Sequence, residues 1–130
     1  MSTDDAVALA YSLLVRLQSA IDDADPESLS ELFDDRAVVV GTSSHSHGRE
    51  EVDAYLETLL RQPGTFRWEW HEVVVFDESD GGIGCAAFGE LIVSGAESDD
   101  HVPFRVTFTA VDGVSGWRFT QFHGSVPSDF

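Results

Sequence analysis
Apolar residues recur at helical spacing in the first half of the chain and at alternate positions in the second. Val7, Ala10, Leu13, Leu14, Leu17 and Ile21 predict a first helix of about five turns. Thr3 stands where a cap is needed, and Asp4 and Asp5 suit the positive end of the helix dipole. Asp25-Pro26 reads as a second start, a capping aspartate before proline at the first helical position. Leu29, Leu32 and Phe33 then form the apolar side of a short second helix, with Asp34 and Asp35 at its end. Residues 37–40 predict a short strand and residues 41–48 a polar loop. Val52, Tyr55, Leu56, Leu59 and Leu60 mark a third helix, stopped by Pro63-Gly64.

From Phe66 the period is two. It predicts strands over residues 66–76, 83–93, 102–111 and 117–126. Turns at Gly81-Gly82 and residues 112–116, and a polar, acidic loop over residues 94–100, join them. Three N-terminal helices with a short strand, then a four-stranded antiparallel meander, make a single α+β domain over residues 1–130.

Turn positions suggest the register. If Phe76 opposes Ile83, Trp70 opposes Gly89 and Trp68 opposes Leu91; if Val111 opposes Trp117, Arg105 opposes His123. One face then carries Trp68, Trp70, Val74, Cys85, Ala87, Leu91, Phe104, Val106, Phe108 and Phe122, and reads as core. The other carries Arg67, Glu69, His71, Phe88, Glu90, Arg105, Thr107, Thr109, Phe119, Gln121 and His123. A single bulge would exchange the two sets beyond it.

Charge excludes several partners. The 130 residues hold 24 acidic and 7 basic side chains, a formal net charge of −17. All the basic residues are arginine. No basic face is available for nucleic acid or an anionic membrane. The acidic N-terminus lacks the basic-then-apolar pattern of a signal peptide, and Cys85 is the sole cysteine, so a cytoplasmic location is expected. Aspartate-rich, lysine-free composition suits a salt-saturated cytoplasm, as in halophilic archaea, where screening removes the self-repulsion.

Four stretches resemble the SnoaL-like, nuclear transport factor 2-like superfamily. Tyr11 sits in the first helix. Asp25-Pro-Glu-Ser-Leu-Ser-Glu-Leu-Phe33 runs into Asp34-Asp-Arg-Ala-Val-Val-Val40. Gly48-Arg-Glu-Glu-Val52 opens the third helix, and Gly116-Trp-Arg-Phe-Thr-Gln-Phe-His-Gly-Ser-Val-Pro127 ends the chain in the manner of the calcium/calmodulin-dependent kinase association-domain subgroup, with Arg105-Val-Thr107 before it. The resemblance implies a cone, a curved sheet wrapped round helices, with a pocket at its open end and a homodimer. It does not imply an activity, because such folds carry isomerases, cyclases, dehydratases and purely associative domains.

Candidate chemistry is sparse. The resemblance puts a base aspartate at about Gly41, where this chain has no acid; that argues against isomerase chemistry. Tyr11, Glu90 and His123 remain candidate catalytic groups, with His45 and Tyr55 able to join them in a dehydratase-like or cyclase-like site. Arg105 is the candidate anion clamp, since a guanidinium holds a carboxylate bidentately; it equally suits a structural pair with Glu90 or Glu69. His123 equally suits a structural bond to the backbone or to Ser125. Trp68, Trp70, Phe33 and Tyr55 are candidate ligand contacts or core. Cys85 reads as a small buried hydrophobe. His45-Ser-His47 lacks a third ligand nearby, with His71, His101 and His123 on distant segments, so neither metal nor cofactor is expected.

The leading expectation is a dimer binding a small apolar or carboxylated molecule in its cone. The alternatives are a cofactor-free isomerase, dehydratase or cyclase, and a pure association module whose mixed sheet face meets a second copy.

Overall fold
The computed structural model describes residues 2–62 and 65–127. Its elements run α1 (Thr3–Asp22), α2 (Pro26–Glu31), β1 (Phe33–Val40), β2 (His45–His47), α3 (Arg49–Leu60), β3 (Phe66–Ser79), β4 (Gly82–Val93), β5 (Asp100–Gly113) and β6 (Gly116–Ser125). The expected stop at Pro63-Gly64 lies outside the described residues.

The strands form one six-stranded sheet in the order β2-β1-β6-β5-β4-β3. The meander β3–β6 is as expected, but the sheet is larger: β1 joins β6 in parallel, and β2 pairs antiparallel with β1. β2 lies inside the segment expected to be a loop. Its residues alternate, Ser46 buried between exposed His45 and His47. Nothing apolar announces this strand; the unpaired backbone of β1 recruits it.

Two helix ends also differ from expectation. Ser2, not Thr3, caps α1: its Oγ accepts from the Asp5 N–H at 3.1 Å, and the Asp5 carboxylate accepts from the Ser2 N–H at 3.4 Å. Asp34 and Asp35 belong to β1 rather than to α2. The Leu32 carbonyl is taken by the Phe119 N–H at 2.7 Å, so pairing with β6 captures the chain directly after α2.

Arg49, the first residue of α3, joins three elements. Its guanidinium donates to the Ser30 carbonyl (2.8 Å), Ser30 Oγ (2.7 Å), Asp35 Oδ1 (3.0 Å), Asp53 Oδ1 (3.3 Å) and the Phe33 carbonyl. At the far edge Gln18 pins α1 to β3, donating to the Phe66 carbonyl at 3.2 Å and accepting from the Trp68 N–H at 2.9 Å. That amide also blunts an open sheet edge. The core lies between the helices and one sheet face, and includes Leu13, Leu14, Leu17, Phe33, Phe108 and Phe119.

Bulges decide the faces. Trp68 opposes Leu91 and Trp70 opposes Gly89, as expected. Register shifts after Trp70 and after Val75 then carry Ile83 opposite Glu78 instead of Phe76. Val74 is therefore turned outward and 42% exposed, while Val73 and Val75 pack on the core. A further shift between Thr109 and Ala110 moves Arg105 opposite Ser125 and Thr107 opposite His123. It also turns Phe119 inward, where it is fully buried against Phe33 and Phe108.

Gly89 is required by the neighbouring backbone, not by the Trp70 ring. A Cβ there would overlap the Glu69 carbonyl and sit 2.9 Å from the Trp70 Cα. Gly113 has open space around it. Gly89→Ala is therefore expected to cost about 1–3 kcal/mol in urea unfolding, as overpacking does, and Gly113→Ala to change stability by less than about 0.5 kcal/mol.

Candidate functional site
A cavity of about 370 Å³ opens between the helices and the inner sheet face. α1 contributes Leu17 and Ile21; β1 and the residues after it contribute Phe33, Val39, Val40, Gly41 and Thr42. Tyr55, Leu56 and Leu59 come from α3, where spacings of three and four set them on one side of the helix. Trp68, Leu91, Phe104 and Phe122 come from the inner positions of β3, β4, β5 and β6. Tyr55, Thr42 and Gln62 are the polar side chains of the wall, apart from the Trp68 indole N–H. None of the described lining residues is charged.

The Tyr55 hydroxyl closes over Gly41: a Cβ at Gly41 would stand 3.1 Å from Tyr55 Oη. Burial raises the Tyr55 pKa above its ordinary 10.0, so the phenol stays a neutral donor across the physiological range. Gly41 is where the resemblance would put a base, and the tyrosine hydroxyl fills that space. Trp68 is held by aromatic neighbours, Phe66 at 5.4 Å, Trp70 at 6.0 Å and Phe104 at 6.3 Å between ring centroids. Among the described residues its buried indole N–H has no hydrogen-bond partner. Such an orphaned donor costs free energy until something accepts from it.

Of the residues singled out from sequence, Phe33, Tyr55 and Trp68 meet in this cavity. Trp70 packs on the core but does not line it. Tyr11 points off α1 and is 38% exposed. His45 lies on exposed β2, away from the wall. Arg105 and His123 stand on the outer sheet face, because alternation sends their inner neighbours Phe104, Phe122 and Gly124 to the cavity instead. There they line a shallow depression of about 210 Å³ with Phe88, Thr107 and Ser125. Arg105 Nε donates to Ser125 Oγ at 3.1 Å, so its hydrogen bond runs neither to His123 nor to Glu90. Glu90 is also outward, 3.5 Å from both His71 and His101. These histidines, distant in sequence, are brought together by strand pairing. Burial raises the Cys85 thiol to about 11, keeping it protonated and inert.

Gly41, Thr42 and Gln62 were missed. Gly41 and Thr42 follow a strand, the general position of a site-bearing loop; Gln62 gives no sequence signal.

The profile of a family described as SnoaL-like domain matches residues 11–129. Solved structures superimpose over nearly the whole chain. A candidate dehydratase of the nuclear transport factor 2-like family from Streptomyces avermitilis matches with a TM-score of 0.82 at 15% identity, covering 98% of this chain and 100% of that one. A candidate aromatic ring hydroxylase from Novosphingobium aromaticivorans matches with a TM-score of 0.81 at 13% identity, covering 99% and 94%. A candidate calcium/calmodulin-dependent protein kinase II association domain from Xanthomonas campestris matches with a TM-score of 0.78 at 18% identity, covering 97% and 88%. At these identities the likeness is one of fold. No functionally curated protein matches the sequence.

The cavity's electrostatics are testable by alkaline titration. With its pKa raised above 10.0, Tyr55 contributes stability that is present below that pH and lost as pH rises through the raised value. Phenolate absorbance should show a late-ionising tyrosine, and Tyr55→Phe should remove that late phase.

Proposed function
The chain belongs to the SnoaL-like domain family, and we propose that it binds a small, neutral, largely apolar molecule in the inner cavity. The observation that carries this reading is a wall of aliphatic and aromatic side chains with no charged group among the described residues, interrupted by the Tyr55 hydroxyl, Thr42, Gln62 and the orphaned Trp68 N–H. Sites of this kind use a few fixed polar groups to orient an apolar ligand, and about 370 Å³ lies near the small end of their range. A ring compound bearing one or two carbonyl or hydroxyl groups fits both volume and polarity. The carboxylated ligand expected from Arg105 loses its support, because a carboxylate in this cavity would be buried without a cation. The acid–base enzyme draws no support from the described wall, where no aspartate, glutamate or histidine is among the lining residues.

Homodimerisation is favoured by a separate observation. Val74, Phe76, Phe88 and Val111 are each at least 37% exposed, and strand register gathers them on the outer face around small Gly84 and Ala86. An apolar patch of that kind suits a second copy.

Thermal-shift screening in molar salt, which screens the net charge, tests the ligand. Neutral ring carbonyl and phenol compounds should raise the melting temperature, by the equivalent of about 2.7 kcal/mol at a hundredfold excess over Kd. Their carboxylate analogues should not. Leu59→Trp, which fills the cavity, should abolish the response; a response that survives it, or one confined to carboxylates, contradicts the proposal. Sedimentation should find the parent dimeric and Phe88→Glu shifted to monomer. A parent that stays monomeric at all concentrations removes the dimer.

A further inference from the structure
Strands β3 and β4 bring three metal-capable side chains, Glu69, His71 and Glu90, to one place on the outer face, and β5 sets His101 beside Glu90. Glu69 and Glu90 stand directly opposite each other. His71, two residues after Glu69 and unpaired at the bulge after Trp70, reaches the same face by alternation and lies beside Glu90. His101 enters from β5, opposite Ile92 and so diagonal to Glu90. Nε2 of His71 and Nδ1 of His101 each lie 3.5 Å from Glu90 Oε2. One ligand atom from each of Glu69, His71 and Glu90 lies within 4.8 Å of the other two.

We infer that Glu69, His71 and Glu90 form a divalent-cation site, matched best to Zn²⁺, on which the exposed His101 closes as a fourth ligand, clipping β3, β4 and β5 together independently of the inner cavity.

Three observations carry it. Two carboxylates directly opposite across strands repel, and among the described residues no arginine pairs with either: Arg67, two residues before Glu69, is turned to Asp99 at 3.8 Å. Imidazole nitrogen with carboxylate oxygen is a donor set for zinc, and metal–ligand bonds of about 2.1 Å in a tetrahedron set ligand atoms about 3.4 Å apart. The two histidine–Glu90 separations are already 3.5 Å. Finally, the side chains are 55% (His71), 50% (His101) and 34% (Glu90) exposed, so an ion has an entry path and the side chains have freedom to close on it. His45 and His47 provide a comparison. They stand two residues apart on β2, outside the cluster, and serve as the control.

Isothermal titration of Zn²⁺ into the tag-free, chelator-stripped full chain tests the site. The parent should take up one ion per chain saturably, and its melting temperature should rise with zinc and fall back with chelator. His71→Ala, His101→Ala and the near-isosteric Glu90→Gln should each weaken uptake at least about tenfold, the loss that even outer-shell partners of a metal cause. Their melting temperatures in chelator should be no lower than the parent's, with Glu90→Gln at or above it because it relieves the carboxylate repulsion, which separates loss of the site from loss of the fold. The double variant His45→Ala/His47→Ala should bind as the parent does. No saturable uptake, uptake that survives both His71→Ala and His101→Ala, or uptake abolished in the His45/His47 double variant overturns the inference.

Discussion
A β-strand sends successive side chains to opposite faces, and every assignment made for this protein depends on which face each residue takes. Phe104 and Arg105 are neighbours in sequence but serve different surfaces, one walling a cavity and the other facing outward. The same holds for Phe122 and His123. The inner face collects Cys85, Ala87, Val106, Phe108 and Phe122 against the helices; the outer face collects the histidines, glutamates and arginine of the long strands. Bulges set where this division falls. An added residue on one strand bends it and reverses the facing of everything beyond.

The cavity exists because two walls are held at a fixed distance. β1 supplies one and α3 the other, and Arg49 hydrogen-bonds both, reaching the Phe33 carbonyl and Asp35 on β1 and Asp53 on α3. The bonds to the Ser30 and Phe33 carbonyls hold most of this joint, because the pairs with exposed Asp35 and Asp53 are screened by solvent. Gln18 does comparable work at the opposite edge, where α1 meets β3. Between these anchors the wall is apolar enough to keep the Tyr55 phenol neutral and to leave the Trp68 N–H without an acceptor. A neutral ligand satisfies such groups; an ion there would lose its hydration for little return.

Much of this was legible in the sequence. Helical periodicity located α1, α2 and α3 to within a few residues, because Leu13, Leu14, Leu17 and their counterparts must share one buried side. The Trp70–Gly89 pairing was legible too, although its reason is the close backbone of Glu69 rather than the indole. The bulges were not. The residues at them, such as His71 and Thr120, carry no composition that marks an extra position in a strand. That single gap misplaced Val74 and Phe119 and paired Arg105 with His123. Long-range assembly was only partly within reach: Glu69, His71 and Glu90 were already set on one face, but β2 has no apolar residue to betray it, and His101 reaches Glu90 only once β5 pairs with β4. Within the site, Phe33, Tyr55 and Trp68 stood out as aromatics; Gly41, Thr42 and Gln62 had no such signature.

The central claim is that small-molecule binding belongs to the inner, uncharged face. Intermolecular nuclear Overhauser effects between a bound neutral aromatic ketone and the labelled protein test it most directly. The account predicts cross-peaks from ligand protons to Phe33, Tyr55, Leu56 and Phe104, with none to Phe88 or Thr107. A ligand whose cross-peaks run to Phe88, Thr107 and His123 would put binding on the outer face and contradict it.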